Sequence, residues 1–338
     1  MYMRYLYRFA FIFTLAFIAG CRDNDSEKPS QAAIDDAAIR EYLSANQLQA
    51  QKDPSGYYYI PLVENPDGQR ISEGQVASIY YKISLLDGKT LETRQSVNSQ
   101  PLKFVHAWGG LVPEAINYGV SKMKTGEKYR FLIPSGLAFG DFYSIGYLGS
   151  NEVISAEVEL VKVETAAEHA ETEKDTILQY LASKNITQYS ALPSGVYKYT
   201  IVHGNGQNPT PGKIVQVVLK RKYLNEQPAG KLVGATSDTV NLYLPVGQND
   251  YVEGLSRATE GLKEGLLHMN VGEEAAILTP SRLAFGGTLI DYGGSYGGAI
   301  QVAPQKFRDA FVEEYLKLQQ NIYPLAVLKY EAKLLKIY

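Results

Sequence analysis

The sequence predicts an α+β protein that contains one unit twice, each unit a curved antiparallel sheet wrapped on a short helix, with a further helix ahead of it. Three observations predict it. The stretch KMKTGEKYRFLIPSGLAFG at residues 122–140 returns as HMNVGEEAAILTPSRLAFG at residues 268–286, with a Met, a Gly-Glu pair, a Pro-Ser pair and Leu-Ala-Phe-Gly at identical spacing. Short runs rich in Tyr, Val and Ile, bounded by Gly, Pro, Asn and Asp, surround one helical stretch in each half. The 338 residues exceed one ordinary domain, and 45% hydrophobic content suffices for packed cores.

Taken in order, residues 1–20 place Arg4 and Arg8 ahead of the apolar run 9–20, which is too short to span a bilayer comfortably and reads as a targeting segment. The run ends Ile18-Ala19-Gly20-Cys21, which resembles a bacterial lipobox, where the thiol is lipidated and becomes the first mature residue. Cys21 is the only cysteine, so no intramolecular disulfide can form; the plainer alternative is an unmodified thiol. The resemblance implies a lipid anchor, stable when two or more acyl chains each contribute roughly 0.8 kcal/mol per buried methylene. It also implies the cell envelope, at the outer membrane, on the periplasmic face or the cell surface. Residues 21–33, with Asp23, Asp25 and Glu27, read as a flexible tether. Their acidity resembles the surface-export signal of some Bacteroidota lipoproteins, though a merely solvated linker has the same composition.

The first unit is expected over 34–164. Residues 31–51 are Ala-rich and predict one amphipathic helix with Ile34, Ala38 and Tyr42 on a stripe and Ile39 and Leu43 beside it. Its counterpart is 175–183, where Ile177, Tyr180 and Leu181 repeat the spacing of Ile39, Tyr42 and Leu43. The Ala- and Glu-rich residues 166–174 extend that helix backward as a charged connector, so the second unit and its linker helix take 165–338.

Pro-Ser-Gly at 54–56 and at 193–195 breaks each helix and opens aromatic strands at 57–63 and 196–202. Turns at 65–68 and 204–206 lead to strands at 75–85 and 213–224, and Asp87-Gly88 signals a hairpin. Short helices at 113–123 and roughly 258–269 end in Gly-containing turns, a half-buried strand follows each, and final strands lie at 153–163 and 327–337. Between 287 and 322 the second half carries an insertion: a Gly/Tyr-rich loop, then a helix from Pro304 with Phe307, Phe311, Tyr315 and Leu318 as its stripe. It reads as a decorated loop packing its own helix, or as a lid or partner-binding element.

The repeated stretch resembles the last part of the FKBP family of peptidyl-prolyl isomerases, whose members run from a helix ending in Met, through Gly-Glu/Gln, to a strand and a Pro-x-x-x-Ala-Tyr/Phe-Gly segment. The resemblance extends over most of both repeats and implies a half-barrel clasping its helix. It also implies isomerisation of prolyl bonds, whose barrier of about 18–20 kcal/mol arises from amide resonance. No nucleophile, metal or cofactor is needed; a dry aromatic pocket favours the twisted amide and a backbone N–H holds a neighbouring carbonyl. Carried over residue by residue, the resemblance puts Tyr81 at the pocket tyrosine, Leu91 and Glu92 at a Phe-Asp pair, and Leu102 at a wall phenylalanine. Leu111 and Val112 fall at the Val-Ile pair whose second N–H binds ligand, Ile116 at the floor tryptophan, Phe139 at the flap-base tyrosine and Ala156 at a last-strand phenylalanine. Of these, Tyr81, Glu92, Val112 and Phe139 are the candidate catalytic set, and the others line the substrate pocket. Phe139 lacks the family's hydroxyl, Trp108 sits too early to serve as the floor, and Tyr143 and Tyr147 can restore aromatic lining.

The second half departs further: Leu219 stands at the pocket tyrosine, Val233 and Gly234 at Phe-Asp and Leu262 at the floor, with Phe285 and Tyr330 retained as aromatics. A binding or structural role suits it better than isomerisation.

The net charge of -3 becomes -5 once residues 1–20, with two arginines and no acids, are removed, so nothing recommends nucleic acid as a partner. The histidines at 106, 169, 203 and 268 are dispersed and suggest no metal cluster, and the Gly-rich 293–298 lacks the Lys-Ser/Thr of a phosphate loop. The expected partners are proline-containing unfolded or exported polypeptides. A non-catalytic lipoprotein using the same units to hold a protein, or a carbohydrate binder exploiting the 26 tyrosines, are the alternatives.

Overall fold

The computed structural model describes residues 28–338, apart from 98, 108–110, 145, 230–237, 248–249, 254, 287–300 and 303–321. Cys21 and the tether, Trp108, Val233, Gly234, Gly293–Gly298 and the expected helix after Pro304 lie wholly or in part outside the described residues.

Helix α1 (Gln31–Ala45) starts where Ser30 accepts from the Ala33 N–H, and stops at Asn46, ahead of Gln47 with φ 54. It is shorter than its Ala-rich composition suggests, because residues 51–52 leave it to form strand β1 (Gln51–Lys52) beside Tyr58 and Tyr59. The expected apolar stripe is also displaced: Ile34 is exposed, and the buried positions are Asp35 and Ile39. A polar anchor sets the rotation of this helix. Both the N–H and the hydroxyl of Ser135 donate to Asp35 Oδ2, at 2.8 and 2.7 Å.

The strands that follow are β2 (Tyr58–Val63), β3 (Val76–Leu85), β4 (Thr90–Arg94), β5 (Leu102–Val105) and β6 (Leu111–Val112). After helix α2 (Glu114–Gly119) and a 3-10 turn at Val120–Lys122 come β7 (Lys128–Ile133) and β8 (Ile154–Glu164). Helix α2 is shorter than expected because its last turn tightens into that 3-10 segment. One seven-stranded sheet results, in the order β1-β2-β7-β8-β3-β4 with β5 also on β3, every pairing antiparallel.

Helix α3 (Ala166–Ser183) begins one residue after β8, closed by a capping box between Thr165 and Glu168. The expected charged connector is part of this helix, and some of its charged side chains are packed. His169 and Glu173 are buried, with His169 3.5 Å from both Glu164 and Glu173 and the Ser281 N–H donating to Glu173 at 3.2 Å. Strands β9 (Ser190–Ala191), β10 (Tyr197–Val202), β11 (Ile214–Tyr223), β12 (Thr239–Tyr243) and β13 (Ser256–Arg257) precede helix α4 (Glu260–Leu267). Strands β14 (Glu274–Thr279), β15 (Gln301–Val302) and β16 (Leu328–Ile337) complete the described elements. The second sheet runs β13-β12-β11-β16-β14-β10-β9, so β9, β10, β14, β16 and β11 follow one another as β1, β2, β7, β8 and β3 do in the first, while β13 pairs in parallel with β12.

The repeated motif has a physical reason at each fixed position. Gly126 and Gly272 hold φ of 84 and 90, where a side chain is strained. The next residue, Glu127 or Glu273, folds back so that its Oε2 accepts from the Lys124 N–H (2.8 Å) or the Asn270 N–H (2.9 Å). One turn of chain earlier, Gly119 and Gly265 let the helix approach the sheet: an ideal Cβ would stand 2.6 Å from Phe131 and 2.5 Å from Ile277. The strand after the turn was expected to be half-buried, yet the two faces of β7 and β14 are both covered. Phe131 and Ile277 face α2 and α4, while Leu132 packs with Ile39 of α1 and Leu278 with Ile177 of α3. The leading helices therefore make a third layer over each sheet.

Candidate functional site

Alternation along the strands turns one set of side chains toward α2. On β3 these are Ile79, Tyr81 and Ile83; on β4, Leu91; on β5, Leu102 and Phe104; on β8, Ala156 and Val158. Ile116 comes from α2, and Phe139 follows the 3-10 turn Ser135–Leu137 that Asp35 anchors. Tyr81, Leu91, Leu102, Ile116, Phe139 and Ala156 thus belong to one cluster in which none of the six is more than 7% exposed.

The cluster has one polar corner. The Tyr81 hydroxyl donates to Glu92 Oε1 at 2.6 Å. Burial, reinforced by the Glu92 charge, pushes the Tyr81 phenol up, so it remains a protonated donor. Tyr147 packs against the same cluster, and its backbone carbonyl accepts from Lys89 Nζ at 3.2 Å. Its phenolic oxygen is buried with no hydrogen-bond partner, and burial together with the Glu92 charge pushes this phenol up as well. A neutral donor without an acceptor is therefore held beside Glu92 and Tyr81.

Tyr143 does not join the lining. It is 51% exposed, because the bridge between Ser144 and Leu148 curls the loop and aims Phe142 and Leu148 inward instead. The loop carries no periodicity that separates Phe142 from Tyr143 in the sequence, so the inward residue was missed. Leu111 and Val112 form β6, and its edge is occupied: Gln301–Val302 pairs with it in parallel, Gln301 opposite Leu111 and Val302 opposite Val112.

A cavity of about 330 Å³ opens on the other face of the sheet, where Tyr80, Lys82, Arg94, Lys128, Glu157 and Glu159 line it and Tyr81 also borders it. Its walls are charged and include the Arg130–Glu157 and Lys128–Glu157 pairs at its side, so it lacks the dry character that the amide chemistry requires.

Residues 68–161, which contain this cluster, match the family described as FKBP-type peptidyl-prolyl cis-trans isomerase. FK506-binding protein 2 of Debaryomyces hansenii is 30% identical over 98 residues, 29% of this chain and 70% of that protein. The chain belongs to the FKBP-type peptidyl-prolyl cis-trans isomerase family. A second FKBP relative, the peptidyl-prolyl cis-trans isomerase Fkbp12 of Drosophila melanogaster, is 24% identical over 109 residues, 32% of this chain and 99% of its own. The crystal structure of FkpA from Escherichia coli aligns over 40% of this chain and 62% of its own, at 26% identity and a TM-score of 0.34.

The FKBP match falls in the first half, and the corresponding cluster of the second half differs in chemistry. Leu219, Leu262 and Tyr330 are buried there, and the buried Arg221 stands 5.0 Å over the Phe285 ring while its Nε donates to the Ala229 carbonyl at 2.6 Å. A cation thus stands against the retained aromatic, a feature that nothing in the residue pattern singles out because Arg221 lies in an alternating strand.

Proposed function

We propose that the first repeat is the isomerase of this FKBP-type chain, acting on proline-containing unfolded or exported polypeptides at the cell envelope. The single observation that carries the reading is the buried apolar cluster with a hydroxyl-bearing corner: Tyr81 bound to Glu92, and the Tyr147 hydroxyl unpaired beside them. A prolyl ring entering between Leu91, Ile116 and Phe139 leaves water, which disfavours the planar, more polar amide relative to the twisted one. Glu92 holds the Tyr81 ring in place, and the Tyr147 hydroxyl supplies the donor that Phe139 lacks. Isomerisation then proceeds by rotation alone, with no bond to the protein.

A protease-coupled assay on a Leu-Pro peptide tests the reading, with Tyr81→Ala and Phe139→Ala as variants. Activity above background that falls at least tenfold in both supports it. Background activity in the parent, unchanged by either substitution, overturns it and leaves a protein-binding scaffold, which the close packing of all six pocket side chains also suits.

The second repeat is the non-catalytic partner in this proposal, since Leu219 replaces the pocket tyrosine and Arg221 adds a buried charge. The envelope location rests on the segment 1–20 and Cys21, and no helix among the described residues is long and apolar enough to cross a membrane. Cys21→Ala should move the protein from the membrane fraction to the soluble one; retention on the membrane would refute the anchor.

A further inference from the structure

We propose that the strand Gln301–Val302 of the second-half insertion occupies, in cis, the β6 edge along which a polypeptide client docks, so that the first repeat rests in a self-occupied state. The inference rests on the reading of the first repeat as the client site. Two independent contacts carry it. The first is the parallel pairing of Gln301–Val302 with Leu111–Val112, which places a stretch of extended chain on the edge flanking the apolar cluster. Edge pairing is how extended peptides commonly bind a sheet, through main-chain hydrogen bonds that any sequence supplies. The second lies at the end of β4, where the Arg94 guanidinium stands 5.9 Å over the Tyr323 ring.

Arg94 is opposite Tyr81 in the β3–β4 ladder, on the same strand as Glu92. Tyr323 is tied to the second half by its N–H donating to the Tyr223 hydroxyl at 2.9 Å and by ring contact with Tyr223 at 5.1 Å. A strand within the insertion and the residue just after it therefore both reach the first repeat, one at β6 and the other at β4. A two-residue ladder contributes little on its own, because each net hydrogen bond is modest. The arrangement is accordingly displaceable: a client with a longer extended segment outcompetes it, and a weak one does not. This is selection for unfolded chain by competition with a resident strand.

The test uses the full chain with Gln301→Pro and Val302→Pro made separately, because alternate residues of a parallel ladder supply the N–H groups. Tyr323→Leu serves as a third variant away from the strand. Binding of a Leu-Pro tetrapeptide is measured by titration, isomerisation by the coupled assay, and hydrogen exchange at the Leu111 and Val112 amides by mass spectrometry. The expected result is that at least one proline variant binds the peptide about tenfold more tightly or better, with faster exchange at Leu111 and Val112 in the absence of peptide. Tyr323→Leu should show a smaller gain in the same direction. Equal peptide affinity and equal exchange in parent and all variants overturn the proposal even if the parent isomerises prolyl bonds. Tighter binding with no isomerisation in any chain supports self-occupancy while refuting the catalytic reading.

Discussion

Replacing Tyr147 by Phe separates a functional hydroxyl from a structural one, because the two roles predict opposite signs. In the resting protein the phenolic oxygen is buried and makes no hydrogen bond. Keeping such a group dry costs about 1–3 kcal/mol, so removing it relieves that cost. The oxygen leaves a void smaller than a methyl group, which gives back only a few tenths of a kcal/mol of dispersion. Tyr147→Phe should therefore stabilise the first repeat by about 1–2 kcal/mol, read as a rise of several degrees in its thermal midpoint at a few degrees per kcal/mol. Catalysis should move the other way. Losing one neutral hydrogen bond to the substrate carbonyl, about 0.5–1.5 kcal/mol, lowers kcat/KM roughly two- to tenfold. A destabilised variant would mean that the hydroxyl has a partner in solution, and an unchanged kcat/KM would mean that it faces no substrate; either result refutes the assignment.

Asp35→Ala strips the acceptor from both donors of Ser135 and should cost about 2–4 kcal/mol in urea unfolding, with Asp35→Asn recovering part of the loss. Gly119→Ala and Gly265→Ala should each destabilise by about 1–2 kcal/mol, since the clash with Phe131 or Ile277 outweighs the helix-propensity gain of about 1 kcal/mol; stabilisation by either would show that the sheet yields there. Burial opposes ionisation of Glu164, yet hydrogen bonds from Lys162 and Thr172 and the charges of Lys103 and Lys162 overcome it and hold the carboxyl down at about 2, against 4.5 when free. A depressed carboxylate stabilises above its unfolded value and loses that contribution as pH falls toward its folded one. Urea midpoints should therefore drop between pH 4.5 and about 2, and Glu164→Gln should flatten that limb.

The long strands were legible because each is bounded by turn residues and is rich in aromatic or β-branched side chains; β2, β3, β8, β10, β11 and β16 all lie within a residue of where the pattern puts them. Strands of two residues such as β1, β9 and β13 exist only through a partner, and local pattern holds no trace of one. The rotation of α1 was misread for a related reason. Hydrophobic periodicity looks for apolar anchors, whereas this helix docks through Asp35 on Ser135, a contact 100 residues apart in sequence. The same device recurs with Glu173 and Ser281, so comparing the two copies for carboxylates at matching helix positions was the signal available. At the site, the resemblance carried over Tyr81 and Glu92, whose side chains do meet, because both sit on paired strands. It offered no means of choosing Phe142 over Tyr143 on an aperiodic loop, nor of foreseeing that Gln301–Val302 lies along Leu111–Val112.

The layer formed by α1 and β2 also bears on how the first repeat can be produced in isolation. Residues 68–161 carry the family match, yet β2 covers one edge of β7, and Ile39 and Tyr58 cover Leu132. A recombinant fragment trimmed to the matched region would present a bare backbone edge beside a wet leucine, an invitation to self-association. Expression trials should therefore start ahead of Ser30; a trimmed fragment that stayed monomeric at high concentration would mean that the leading helix is dispensable to solubility.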